Sequence, residues 1–433
     1  MSKFLKYNQI GHNLRFLYCG LLVILQPEYK NVILMGTFSE KLISILFGIL
    51  LSVQLCAADF EEDGISYGIL SEDERTVEVA NNNSAYVGDV VIPARVTHEG
   101  ITYKVTAIHF QAFFKCTELH SVSIPATVSD MGQYSFTQCT SLQSVDLPAN
   151  ATDIPDGMFW GCSSLKSVTL PANIVSIGDY AFANCTSLED VSMPDGVEYI
   201  GKAALMGTAL KAFDVPHKVV DLSPFVLALT TKLETINIHD RVETIGECAF
   251  QGNTAVRMIS LPDGLKSIDA SAFAQCPALT SITIPDGIGS LPEKCFYNDM
   301  ALQKVVLGRN VTEIGTECFA RYKNTTAAPQ LQDVYLLGDA VVSGGDAFID
   351  EACGNATLHV KAELVETYRS QSGWQRFGSI VAISDDDFSG ISSIEADCGN
   401  RTAAVYTVDG KRLAHGKQSV VVAGGKKFAV SRR

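Results

Sequence analysis

The segment from Leu119 to Pro194 repeats itself every 23 residues, and that period constrains the fold more than any other feature. Leu119, Leu142, Leu165 and Leu188 fall in register, as do Pro125, Pro148, Pro171 and Pro194. So do Phe113, Phe136, Phe159 and Phe182, and Cys116, Cys139, Cys162 and Cys185. A fixed period of this size marks a solenoid, in which each unit buries its apolar face against its neighbours. A lone unit holds too few large apolar residues to offset the ordering of its backbone, at ~1–2 kcal/mol per residue.

The consensus is L-x-x-V-x-[IL]-P-x-x-V-x-x-I-G-x-x-A-F-x-x-C-x-[SA]. L-x-x-V-x-[IL] reads as a short strand with one buried face. Proline ends it, and Pro-Asp-Gly at Pro194, Pro262 and Pro285 supplies turn chemistry. V-x-x-I starts the return side, and Gly178, Gly201, Gly246 and Gly315 mark the next corner. A-F-x-x-C reads as one short helical or 3₁₀ turn carrying Phe and Cys into the core. The unit from Leu210 to Leu229 is the least regular, with Ala204 and Leu227 in place of Phe; ten residues, RYKNTTAAPQ, interrupt the array after Phe319. The expected architecture is an α/β repeat: about ten 23-residue coils with short parallel strands, capped at both ends, followed by a small β-rich module.

A solenoid exposes apolar surface at its ends, so each needs a cover. Residues 59–100 read as the amino-terminal β cap, with ISYGIL and TVEVA forming a hairpin across SEDER. The array proper spans 101–355. Residues 356–384 read as the closing cap, and 391–433 as the small β module.

Ahead of the cap, LISILFGILLSVQL (Leu42–Leu55) follows Lys41 and precedes Cys56-Ala57-Ala58, the layout of a secretory signal. This places the signal at 35–58, with translation starting at Met35 and 1–34 a mis-assigned extension. A membrane span needs roughly 20 apolar residues, more than this run holds. Lipidation at Cys56 is the other alternative, though Leu55 is bulky where a small residue is expected. Removing 1–58 leaves 28 Lys and Arg against 46 Asp and Glu, while the full chain carries a net charge of −15. Such acidity, without a basic run, argues against nucleic-acid binding.

The recurring A-F-x-x-C-x-S-L-x-x-V-x-[IL]-P pattern, from about Ile92 to Gly338, resembles the BspA-type leucine-rich repeat of bacterial surface proteins. It lacks the asparagine ladder of commoner leucine-rich repeats. The resemblance implies a secreted or outer-surface protein of a Gram-negative bacterium, with a role in adhesion to host matrix proteins, cells or glycans. It also implies that Ala356–Ile383 is the family's closing cap: a last strand, a helix with Tyr368, then Trp374 and Phe377 before a final strand. The carboxy-terminal module resembles a type IX secretion sorting domain through Val405, Tyr406, Gly410, Gly425, Lys426 and Lys427. A plain small β domain is the alternative.

Little in the chain points to chemistry. No C-x-x-C pair offers zinc ligands, and G-x-S-x-G, H-E-x-x-H and the phosphate-binding glycine loop are missing. No cofactor or metal is expected. Cys116, Cys139, Cys162, Cys185 and Cys276 share one repeat position and read as buried reduced thiols; Cys295 and Cys318 take the small-residue position before Phe. His217 and His239 fall on neighbouring coils, where a structural role outweighs metal binding. The informative surface is the outward side of the repeat strand: Ser121 and Ser123, Ser144 and Asp146, Ser167 and Thr169, Asp190 and Ser192, Thr235 and Asn237, Ser281 and Thr283. Short hydroxyls and acids let a flat protein or glycan partner approach closely; equally, they could serve only to relieve crowding on a curved sheet. The expected function is a non-catalytic extracellular binding scaffold that meets membrane only through secretion or anchoring. The rival is a surface-attached hydrolase or an accessory subunit of an extracellular enzyme system.

Overall fold

The structure, a computed structural model, describes residues 58–321, 330–348 and 353–384, together with the backbone of strands 419–423 and 426–430. The sites expected at 1–34 and 35–57, and Val405, Tyr406, Gly410 and Gly425, lie outside the described residues. No helix among the described residues is long and apolar enough to cross a membrane.

The chain winds into a solenoid of about 11 coils whose strands are parallel. Each coil contributes a front strand, and successive front strands pair in register: Ser121 with Ser144, Ser167 with Asp190, Ala212 with Thr235, Ser281 with Lys304. Proline then turns the chain, its carbonyl accepting the N–H three residues on; Pro171 to Ile174 and Pro194 to Val197 are both 3.1 Å. A two-residue return strand follows, such as Ser176–Ile177 between Asp153–Ile154 and Tyr199–Ile200. The corner glycine is required by close approach. A Cβ on Gly178 would stand 2.6 Å from the Asp156 amide nitrogen, and one on Gly201 2.6 Å from that of Asp179. The same corner is pinned along the stack, because the Asp156 carboxylate accepts the Asp179 N–H and the Asp179 carboxylate accepts the Lys202 N–H, each at 2.8 Å.

The A-F-x-x-C segment is not a helical turn. It is a pair of reverse turns with two left-handed residues four apart: Tyr134 and Gln138, Tyr180 and Asn184, Ser271 and Gln275. A helix would direct its N–H groups back along its own axis. Here alternate groups point to the next coil: Tyr180, Phe182 and Asn184 donate to the carbonyls of Lys202, Ala204 and Met206 at 2.7–2.8 Å. The groups between them close turns, with Ala181, Ala183 and Cys185 donating to Gly178, Tyr180 and Phe182. This third ladder ties the coils together and offsets the ~1–2 kcal/mol that each non-glycine left-handed residue costs. The α-helix Val365–Ser370 lies beyond the regular coils.

The core is a column. Phe113, Phe136, Phe159 and Phe182 stack with ring centroids 4.7–5.7 Å apart, and Phe250, Phe273, Phe296, Phe319 and Phe348 continue at 4.8–5.3 Å. Between these runs Leu205 and Leu227 fill the position, both fully buried. Ladder bonds place Leu205, not Ala204, opposite Phe182, since Ala204 lines up with Ala181. The one-residue correction arises where the period shortens from 23 to 22.

At the amino-terminal end, strands Ile65–Ser71 and Thr76–Val79 form the expected antiparallel hairpin. They belong to a five-stranded sheet that also takes in Phe60–Glu62, Arg95–His98 and Ile101–Ile108. Tyr86 heads the aromatic column, tilted on Phe113 at 4.5 Å. Its hydroxyl donates to the Ala80 carbonyl at 2.8 Å and accepts the Ser66 N–H at 3.1 Å, and burial pushes its pKa up to about 12. At the other end the column closes on Trp374 and Phe377, which sit 6.0 and 5.4 Å from Phe348. The Tyr368 ring meets Trp374 edge-on at 5.3 Å, and its hydroxyl accepts the Val342 N–H at 2.7 Å. Tyr368→Phe strands that buried amide, so a loss of ~1–3 kcal/mol is expected in denaturant unfolding. An unchanged midpoint would show the amide finding another acceptor. Farther on, Ser419–Ala423 and Lys426–Val430 pair as an antiparallel hairpin, described here by itself.

Candidate binding face

Strand alternation sets this face. Val122, Val145, Val168, Val191, Ile236 and Ile282 point into the core, so the residues on either side point out. All twelve side chains singled out in the sequence stand on this outward side. Ser144, Asp146, Ser167, Thr169, Asp190, Ser192, Thr235, Asn237 and Thr283 are exposed, and Ser121, Ser123 and Ser281 half-buried. Parallel in-register pairing lines them up in two columns across successive coils. Some groups bond within the face: the Ser121 hydroxyl donates to Asp89 at 2.6 Å, and the Asn237 amide donates to Asp214. Ala212 and Met258 interrupt the first column. Along one flank, Glu189 lies between Lys211 at 3.4 Å and Lys232 at 3.8 Å. Exposed pairs of this kind contribute ~0–1 kcal/mol and mainly shape the charge pattern.

The second outward column loses its hydroxyl character after Thr283, while the first runs on through Lys304, Asp333, Thr357 and Ser379. From the next strand on, the second column holds Val306, Tyr335 and His359, all buried. The rings of Tyr335 and His359 stack at 4.1 Å, Lys304 Nζ lies 4.9 Å from the Tyr335 centroid, and His359 Nε2 is 2.8 Å from Asp333 Oδ1. Lys304-Val305-Val306-Leu307 and Asp333-Val334-Tyr335-Leu336 carry that change openly in the sequence.

The cysteine position runs inside the stack as a second column. Its thiols do more than fill space: Cys139, Cys162, Cys185 and Cys276 donate to the carbonyls of Phe113, Phe136, Phe159 and Phe250 at 2.9–3.3 Å. All nine described cysteines are buried and unbridged. Burial raises the thiol pKa to about 11 at Cys116 and well above the usual range at Cys162 and Cys276. Thiolate is the reactive form, so these positions are inert. Iodoacetamide at about pH 8, near an ordinary thiol pKa, should leave these nine unmodified in the folded protein and label all of them in denaturant. Native labelling of Cys162 would show the stack opening locally.

Sequence reasoning missed what replaces cysteine along this column. Thr208, Thr230, Asn253 and Asp299 take the position. Thr230 Oγ1 bonds the Leu205 carbonyl, Asn253 Oδ1 accepts the Thr230 N–H, and Asp299 Oδ1 accepts the Cys276 N–H at 2.7 Å. Counting 23 residues on from Cys276 would have found Asp299. Its Oδ2 is buried with no hydrogen-bond partner, and burial holds the carboxyl well above the usual carboxylate range.

The two neighbouring histidines do come together, with ring centroids 4.9 Å apart. Both nitrogens of His239 are committed to backbone: Nε2 donates to the Pro216 carbonyl at 2.9 Å, and Nδ1 accepts the Arg241 N–H at 3.2 Å. That leaves His239 no lone pair for a metal. Among the described residues no group of three or more His, Cys, Asp or Glu is placed to hold a metal ion.

Residues 106–227 and 222–339 match the family model described as BspA type Leucine rich repeat region. The chain is also similar to a leucine-rich repeat protein from Bacteroides ovatus, at 24% identity over 64% of this chain and 94% of that one, with a TM-score of 0.41. It is similar to a leucine rich cell surface protein from Faecalibacterium prausnitzii, at 20% identity over 79% of this chain and 98% of that one, TM-score 0.42. The T. pallidum Leucine Rich Repeat protein is a third, at 23% identity, covering 51% and 90%, TM-score 0.40. No curated protein matches. The matched region covers more than half of the sequence and coincides with the stacked coils, so the chain belongs to the BspA-type leucine-rich repeat family.

Proposed function

We propose that this protein is a non-catalytic binding scaffold displayed outside a Gram-negative bacterium, adhering to an extracellular protein or glycan through the front face from Ser121 to Thr283. The observation that carries this reading is the pair of outward columns of short hydroxyl and acidic side chains across successive coils. Long side chains would hold a partner away and lose conformational entropy on contact, whereas Ser, Thr and Asp bring donors and acceptors close to the backbone plane at little cost. Family membership supports a scaffold role, and the signal-like Met35–Ala58 segment supports export, with the sorting-like carboxy-terminal module pointing to the type IX route.

The test is a chain carrying Ser144→Lys, Ser167→Lys and Thr169→Lys together. All three side chains are exposed, so the variant should fold with an unchanged melting curve. Screened against immobilised matrix proteins and a glycan array, the unaltered chain should bind a partner and the variant should lose it. A folded variant that binds as well as the original would remove this face from consideration.

A further inference from the structure

Strand Gly88–Val91 is the first strand of the front ladder and pairs on one side only, with Leu119–Ser123. Ile92 N–H bonds the Ser123 carbonyl, so the alternate residues Asp89 and Val91 turn their amides and carbonyls to the open side. Beyond that edge lies a cleft of 640 Å³, within the roughly 300–1,000 Å³ of ligand-holding clefts. Its lining includes Glu61 and Glu62 of strand Phe60–Glu62, Asp63 in the turn that follows, and Pro93, Arg95, Val96 and Thr97. Natural edge strands are usually guarded by lysine, proline or a covering element. Here Val91 is 71% exposed and Val87 56%, and both line the cleft. Glu61, Glu62 and Asp63 line it, with Asp89, whose carboxylate accepts the Ser121 hydroxyl, against one basic residue, Arg95.

We propose that this edge accepts an extended peptide rich in lysine or arginine, added as a further strand beside Gly88–Val91. The open amides and carbonyls supply the main-chain bonds of strand addition. Val87 and Val91 meet apolar side chains on one side of the incoming segment, and the acidic residues meet its cations and reject acidic segments. The site adjoins the Ser121 end of the front face, where Asp89 accepts the Ser121 hydroxyl. Its open edge and Glu61, Glu62 and Asp63 are not among the twelve side chains of that face, so either reading can fail without the other.

The experiment uses the full chain and three fluorescein-labelled peptides of equal length: alternating Lys and Val, alternating Glu and Val, and the Lys–Val peptide N-methylated on alternate residues. Fluorescence polarisation should show binding by the first, weakened by salt, and none by the second. N-methylation, which removes strand bonding but keeps the charge, should weaken binding about tenfold or more. Glu61→Gln, Glu62→Gln and Asp63→Asn combined should weaken it by a similar factor and flatten the salt dependence. Val91→Pro should do likewise, since that amide faces away from the ladder and proline is tolerated at an edge. The Ser144, Ser167 and Thr169 lysine variant should leave peptide binding unchanged. No binding by the Lys–Val peptide, equal binding by the N-methylated form, or equal binding by the Glu–Val peptide would each overturn the proposal.

Discussion

Phe182→Asp is expected to abolish cooperative unfolding of the central coils. Phe182 is fully buried, its ring 5.4 Å from that of Phe159 with the planes 15° apart, and Leu205 stands on the next coil. Removing the ring alone costs ~3–5 kcal/mol, as other buried aromatics do on truncation. A carboxylate in that dry column adds desolvation that nothing compensates, because the nearby polar groups are already engaged in turn and ladder bonds. The total is comparable with the ~5–15 kcal/mol that holds a typical domain folded. Coils lean only on their neighbours, so the damage should spread outward from this point rather than stay local. Circular dichroism should show a melting transition lowered and broadened, and limited proteolysis should cut first in the coils flanking residue 182. Phe182→Leu is the control: Leu205 and Leu227 already occupy the equivalent position, so the loss should stay below ~1.5 kcal/mol. A Phe182→Asp melt matching the original would mean that the column tolerates charge and is not the stabilising core.

Much of this column was legible beforehand, and the reason is physical. A residue that must stack on its own counterpart one coil away has to recur at the coil length, so Leu119, Phe136, Cys162 and their equivalents declare themselves by period alone. The twelve outward side chains were legible for the same reason, since strand alternation fixes which side each one takes. What the period could not reveal was how backbone groups are shared. A-F-x-x-C has apolar spacing compatible with one helical turn, and only the allocation of N–H groups to the next coil separates a helix from the double turn with its left-handed Tyr180 and Asn184. The 22-residue coil shifted the reading by one position and put Ala204 where Leu205 belongs. Val90-Val91-Ile92-Pro93 carries the apolar-then-proline pattern of a repeat strand, but the open side of Gly88–Val91 and the acidic residues beside it depend on how distant segments converge.

Asp299→Asn should stabilise the protein near neutral pH, and the gain should depend on pH. Asp299 occupies a position that other coils fill with Cys, Thr or Asn, and it performs the task Asn253 performs, accepting an N–H from the preceding coil. Its second oxygen is buried and unpartnered, so ionisation places a charge where neither water nor a cation compensates it. Burial therefore raises the folded-state pKa well above the 3.8 of a free aspartate. Below that lower value the carboxyl is protonated in both folded and unfolded chains, and Asp299 costs little. As pH climbs from there through the raised folded value, the unfolded chain releases its proton first, and stability falls. Asparagine keeps the acceptor for the Cys276 N–H and carries no charge. The melting temperature of Asp299→Asn should thus match the original below the free-aspartate value of 3.8 and exceed it by a growing margin as pH rises toward neutrality. Parallel melting curves for Asp299→Asn and the original across this pH range would show that water reaches the carboxylate in solution.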